Sequence, residues 1–271
     1  MKFSFVVFLA SFILATSRVQ ANPCENSAIS APKGKLSSVM FRHAGGSTGG
    51  KWMKDEDGVV WFVKKDMHYP ELQTSAEPIA ARIYSHFGYN TPVTYKVIIK
   101  GVHHSASRDA GETSGASNFS DRNTSEIRQM RVVAAYLKDW DRLANHTNNQ
   151  DMPDGSLLVL DFGGTLGSRA RGEYKPGNIV SKAIGSFEST EDIKTIYTSF
   201  GISAGNDHPW KKITKDDAEK VIEKFKTLTD EKITAIVKTA QYSNPSDESY
   251  MIEALKTRRN GIIKNLLSVI P

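Results

Sequence analysis

Three ionisable residues and their spacing stand out in this sequence. Asp161 ends a run of four apolar residues (157–160, LLVL) and is followed by Gly163, Gly164 and Gly167. Such a run reads as a short buried strand passing into a loop. A carboxylate placed there is costly unless a cation meets it, and a bound metal ion is the usual compensation. Asp141, twenty residues upstream, closes a helical segment on the same face as Leu137, where a carboxylate suits accepting a hydroxyl proton. Lys64 lies on a strand-like run whose face it shares with Val60 and Phe62, an unusual place for a surface lysine. An amine, a metal-holding carboxylate and a proton-accepting carboxylate are what transfer of a phosphoryl group asks of a protein, since that chemistry is mostly positioning and charge neutralisation.

Further residues fit the same chemistry, with alternatives at each place. Residues 43–50 (HAGGSTGG) form a glycine-rich loop. Its bare amides, with the Ser47 and Thr48 hydroxyls between Gly46 and Gly49, suit polyphosphate oxygens, and they equally suit a flexible hairpin loop. Lys64 can reach phosphates, but it can also be an edge lysine reaching for water, with Lys65 its rival. Glu77 is placed to pair with Lys64. At the start of a helix it would also be favoured by the macrodipole, and Glu71 competes for the pairing. Asp139 is the alternative to Asp141. An amide to complete a metal site is offered by Asn145, Asn148 or Asn149.

These groups need elements to position them. Asp57-Gly58 between two strand-like runs is a hairpin signal. A helix is expected over 78–87, with Pro78 in its first turn and Gly88 as its stop. A strand over 91–100 and a long exposed polar loop over 104–123 follow. Asn123 and Glu126 read as the cap of a helix whose buried stripe is Ile127, Met130, Ala134 and Leu137. After the strand that ends at Asp161, residues 168–212 read as irregular. Helices are then expected over about 214–228, 229–241 and 246–269. The order predicts an α+β, bilobal arrangement, with a small β-rich N-lobe over 37–102 and a mainly helical C-lobe over 103–271.

Composition narrows the function classes. The 271 residues include 35 Lys and Arg against 30 Asp and Glu, a net charge of +5. Residues 1–21 have a basic start, an apolar run and a small-residue cleavage pattern, and are expected to be a signal peptide. Residues 22–36 read as a loose lead-in. Without the first 21 residues the charge is +3, which is no nucleic-acid footprint. No later segment is apolar enough to span a bilayer, so a soluble, exported protein is expected, periplasmic or secreted. The single cysteine, Cys24, allows no internal disulfide and makes an unpromising nucleophile. HExxH is not present.

The motifs GGSTGGKW, WFVKK, EPIAARIYSHFGYNTP, the WD–Asn loop and LLVLDFGGTLGS resemble those of bacterial HipA-like and phosphoinositide-kinase-like members of the protein-kinase-like superfamily. The run 233–263 is similar to the tail of exported bacterial members. The resemblance implies a protein-kinase-like fold, ATP with Mg²⁺ or Mn²⁺, and Asp161-Phe162-Gly163 as the metal-holding element. An unknown protein or small-molecule acceptor is then the partner. The Asn loop departs from the pattern, because the position five residues after Asp141 is His146. An inactive, binding-only relative and nucleotidyl transfer on the same scaffold are the alternative readings.

Overall fold

A computed structural model describes residues 30–39, 49–142, 147–198 and 208–271. The expected signal peptide, most of the lead-in, Gly46, Ser47, Thr48 and Asn145 lie outside the described residues. The first sheet is built from β1 (Ser37–Ser38), β2 (Lys51–Lys54), β3 (Val60–Lys65), β4 (Thr94–Ile99) and β5 (Val102–Arg108), in the order β1-β2-β3-β5-β4. All of its pairings are antiparallel. The hairpin forms where Asp57-Gly58 predicts it. Asp55 fixes it by accepting from the Val59 amide and the Trp61 indole.

The strand β5 corrects the expectation of a loop from 104 onward and carries the sheet past the expected lobe boundary at 102. Its sequence, VHHSASR, has no apolar alternation to betray it. It is a strand because it is paired on both sides, by β3 and β4, with Ala106 buried against Trp61 and Val63.

The first helix, α1 (Leu72–His86), begins six residues before the expected start, so that Pro78 sits inside it. Its N-terminus is capped from a distance. Asp66 accepts from the amides of Glu71, Gln73 and Thr74 and from the Thr74 hydroxyl. A cap so far from the helix leaves no local signature. Glu77 is therefore an interior residue, and the macrodipole account of it falls away.

The rest is mainly helical. A small second sheet joins β6 (Gly115–Ala116), β7 (Asn149–Asp151) and β8 (Leu157–Val159). The helix α2 (Ser125–Tyr136) is capped by Thr124, one residue later than expected. It also stops before Asp141: Lys138 adopts φ +53°, and Asp141 lies in a separate 3₁₀ turn, Trp140–Arg142. Thr214 and Thr229 cap α3 (Lys215–Thr227) and α4 (Asp230–Lys238), and Asn244 caps α5 (Pro245–Asn265). Among the described residues, no helix is long and apolar enough to cross a membrane.

Two apolar clusters result. A small one, around Trp61, Val63 and Ala106, lies on the first sheet; a large one gathers α1, α2, β8 and the C-terminal helices. The helix α1 thus belongs to the body of the helical lobe while lying against β4 and β5. Asp66→Ala should cost about 1–2 kcal/mol through loss of the cap. Urea unfolding checks this, with a lowered midpoint and an unchanged slope as the expected result.

Candidate functional site

Lys64 reaches across from β3 and meets two carboxylates. Its ammonium pairs with Glu77 of α1 and donates to Asp161 Oδ1 at 2.7 Å. The lysine is buried to 7% exposure and Glu77 to 1%, whereas the Asp161 side chain is about one-third exposed (37%). Burial alone would lower the lysine's pKa, but the Asp161 and Glu77 carboxylates outweigh it and hold the ammonium above its ordinary range. For Asp161, burial works upward but Lys64 outweighs it, so this carboxyl sits below its usual range. Glu77 is pushed upward by burial, against the pull of Lys64. The rivals are placed elsewhere: Lys65 is exposed, and Glu71 pairs with Lys96 of β4.

The turn after β8 aims the Asp161 carboxylate. Asp161 adopts φ +55°, a conformation that aspartate tolerates better than most residues. The next amide, Phe162 N, donates to Glu77 Oε2 at 3.1 Å, and the Phe162 ring packs on Tyr84. The same glutamate therefore holds the lysine and the backbone beside the aspartate. Of the glycine loop, Gly49 and Gly50 are described. A Cβ on Gly50 would sit 2.3 Å from the Phe62 ring and 3.0 Å from Lys64 Cγ, so Gly50 packs directly against the lysine stem.

Asp139 and Asp141 have different surroundings. Asp139 is buried, accepting from the Tyr84 hydroxyl (2.9 Å) and from Arg142 Nε (2.8 Å). It is a structural anchor. Asp141 is half-buried and faces Gly164, where an added Cβ would lie 2.1 Å from its Oδ2. Burial and the Asp139 charge push its pKa above the usual carboxylate range, while Arg142 and Lys175 oppose them. That environment suits a group that accepts a proton.

Arg142 and Lys175 were not singled out from the sequence. Arg142, fully buried, donates to Asp139, to the Asn148 carbonyl (2.8 Å) and to the Asp161 carbonyl (2.5 Å). It ties the segment that bears Asp141 to the one that bears Asp161. Asn149 is also buried, with Oδ1 3.4 Å from Arg142 Nη1. Asn148 is half-buried, and its carbonyl accepts from Leu160 N, which sets it beside Asp161. Lys175 donates to the carbonyls of Gly164 and Ser168 and so holds the loop that Asp141 faces. No local pattern marks a buried lysine in the stretch 171–177, RGEYKPG.

The residues present fit a polyphosphate with a divalent cation. The Lys64 ammonium and the accessible Asp161 carboxylate stand side by side, with Gly50 against the lysine stem. Mg²⁺ is commonly held by one or two carboxylates together with substrate phosphates, so a dedicated protein cage is not required. Among the described residues no group of three His, Cys, Asp or Glu side chains would hold a metal by itself.

The sequence matches no protein-family model and no curated protein. The structure does have neighbours. It aligns with that of the proinflammatory kinase CtkA of Helicobacter pylori over 87% of this chain and 98% of that one, with a TM-score of 0.57 at 11% identity. The fold is protein-kinase-like. The MAP kinase LmaMPK10 of Leishmania major aligns over 90% of this chain and 84% of its own at TM-score 0.28 and 8% identity, a level that carries no weight.

Burial dominates the behaviour of Lys175, drawing its pKa from 10.5 to about 7 against the pull of Asp139 and Asp141. Below about pH 7 folded and unfolded chains both carry this proton, and the buried charge weighs fully against folding. Between 7 and 10.5 the unfolded chain keeps the proton and the folded chain gives it up, so the penalty shrinks as pH rises. Urea midpoints for wild type minus Lys175→Met should therefore increase from pH 7 to pH 10; a flat difference contradicts this environment for Lys175.

Proposed function

We propose that this protein is an ATP- and divalent-metal-dependent phosphotransferase of the HipA-like and phosphoinositide-kinase-like branch, acting on a hydroxyl acceptor after export. The observation that carries the reading is the convergence of Lys64 of β3, Glu77 of α1 and the distant Asp161, just after β8, at a site that Asp141 also borders. The kinase-like fold, shared with a protein that is itself a kinase, supports it. Export is supported by the N-terminal sequence alone.

In this reading Lys64, held by Glu77, neutralises phosphate oxygens together with Gly49 and the rest of the glycine loop. Asp161 holds Mg²⁺ or Mn²⁺, with an amide from Asn148 or Asn145; Asn149 is committed to Arg142. The cation, when bound, would neutralise charge on the transferring phosphate. Asp141 orients the acceptor hydroxyl and takes its proton. Arg142 and Asp139 fix the distance between the two carboxylate-bearing segments.

Thermal shift with ATP and Mg²⁺ or Mn²⁺ tests binding. At about hundredfold excess over Kd, wild type should gain roughly 5–10 °C in Tm. Asp161→Asn should lose the metal-dependent part, and no metal-dependent shift in wild type would refute the reading. Transfer is tested with γ-labelled ATP and generic acceptors. Asp141→Ala should lower the rate by about 10²–10⁴; ATP binding with no transfer would favour the binding-only relative, and transfer of α-label would favour nucleotidyl transfer. Gly164→Ala places a methyl group where the Asp141 carboxylate lies. It should cost about a hundredfold in transfer while nucleotide-induced stabilisation persists, because it displaces the group that receives the acceptor.

A further inference from the structure

The loop after Asp161 turns back on itself beside Asp141. A bridge pairs Ser168 with Tyr174, Arg169 N donates to the Glu173 carbonyl, and Gly172 N donates to the Arg169 carbonyl, closing a small hairpin over 168–174. The hairpin is anchored on its inner side. The Tyr174 ring stacks on Tyr69 at 3.9 Å and 10°, and Gln73 of α1 donates to the Ala170 carbonyl at 3.0 Å. The Gly164 position that an added Cβ would occupy, 2.1 Å from Asp141 Oδ2, is also 3.4 Å from Ala170 N. The hairpin and the Asp141 carboxylate thus flank the same point.

Arg169 and Arg171, on either side of Ala170, are exposed, and among the described residues neither has a carboxylate partner. The Arg169 guanidinium lies 6.0 Å from the centre of the Trp140 ring, and Trp140 is 38% exposed immediately before Asp141. An exposed indole and two guanidinium groups that have no carboxylate partner among the described residues thus stand at the mouth of the site, a combination that favours anions.

We propose that the 168–174 hairpin is the acceptor-recognition element, and that it reads carboxylates flanking the acceptor hydroxyl in an extended, acidic protein segment. This rests on the phosphotransferase reading of Asp141. Alternate residues of an extended chain project to the same side about 6.6 Å apart, a spacing that suits two guanidinium groups one residue apart on a turn. A lipid surface fits less well. Recognition of anionic lipid commonly uses clusters of four to eight Lys or Arg, whereas this hairpin offers two arginines with Glu173 beside them. Because the stack and the Gln73 bond already fix the hairpin, little ordering is needed when an acceptor arrives.

Binding, which needs no turnover, provides the test. A fluorescein-labelled peptide with serine flanked on each side by two glutamates is compared with its lysine counterpart at low ionic strength. Wild type should bind the acidic peptide at least about tenfold tighter. Arg169→Glu with Arg171→Glu should reverse the preference. Lys215→Glu with Lys238→Glu, an equal charge change on exposed positions of α3 and α4, should leave it in place. Equal binding of the two peptides, or an equal loss in the control pair, overturns the proposal. Arginine-dependent binding to phosphatidylcholine vesicles carrying phosphatidylinositol 4-phosphate, with no peptide preference, overturns it in favour of a lipid acceptor. The ATP thermal shift, measured on the same arginine variant, confirms folding. It also separates failure here from failure of the nucleotide site.

Discussion

The structure depends on one buried cation shared between two acids. Lys64 comes from a sheet with its own small apolar cluster, Glu77 from a helix embedded in the large cluster, and Asp161 from the turn after β8, whose Leu157 and Val159 belong to that larger cluster. A buried ammonium is tolerable only when compensated, and an uncompensated partner left behind typically costs 3–5 kcal/mol. The two lobes are therefore held in register by an interaction whose partners stand 97 residues apart in sequence. It also leaves an acid, Asp161, accessible beside a lysine. A site that binds phosphate and metal together needs that combination.

A second constraint keeps the proton-accepting side in place. Arg142 lies beside the paired rings of Tyr84 and Phe162 and donates to groups on both flanking segments. Asp139 neutralises it, which leaves Asp141 free to point toward Gly164. Two acids separated by one residue thus take different tasks because one meets a buried guanidinium and the other does not. Lys175 completes the arrangement from the opposite side, fixing the loop by its carbonyls.

What the sequence revealed follows from how local each signal is. The Asp57-Gly58 turn, the apolar stripes of the C-terminal helices and the apolar run before Asp161 are short-range patterns, and each corresponds to an observed element. Lys64 was legible because its strand face is otherwise apolar. The start of α1 was hidden because its cap, Asp66, lies several residues outside the helix. The strand β5 was hidden because sheet pairing, and no apolar alternation, makes it a strand. The choices between Lys64 and Lys65, Glu77 and Glu71, and Asp141 and Asp139 all turned on contacts between distant segments, which no local spacing encodes. Arg142, Lys175 and the 168–174 hairpin belong to the same class, since ordinary polar residues become informative only once their partners are known.

The central claim is that Lys64 and Asp161 together receive a nucleotide and its cation. A crystal structure with a non-hydrolysable ATP analogue and Mn²⁺, using the anomalous signal of the metal, tests it most directly. The account predicts a manganese peak about 2.1 Å from an Asp161 carboxylate oxygen, with Lys64 contacting phosphate oxygens and Glu77 still paired to it. Nucleotide bound elsewhere, or Lys64 still closed on Asp161 with no metal beside it, would contradict the account.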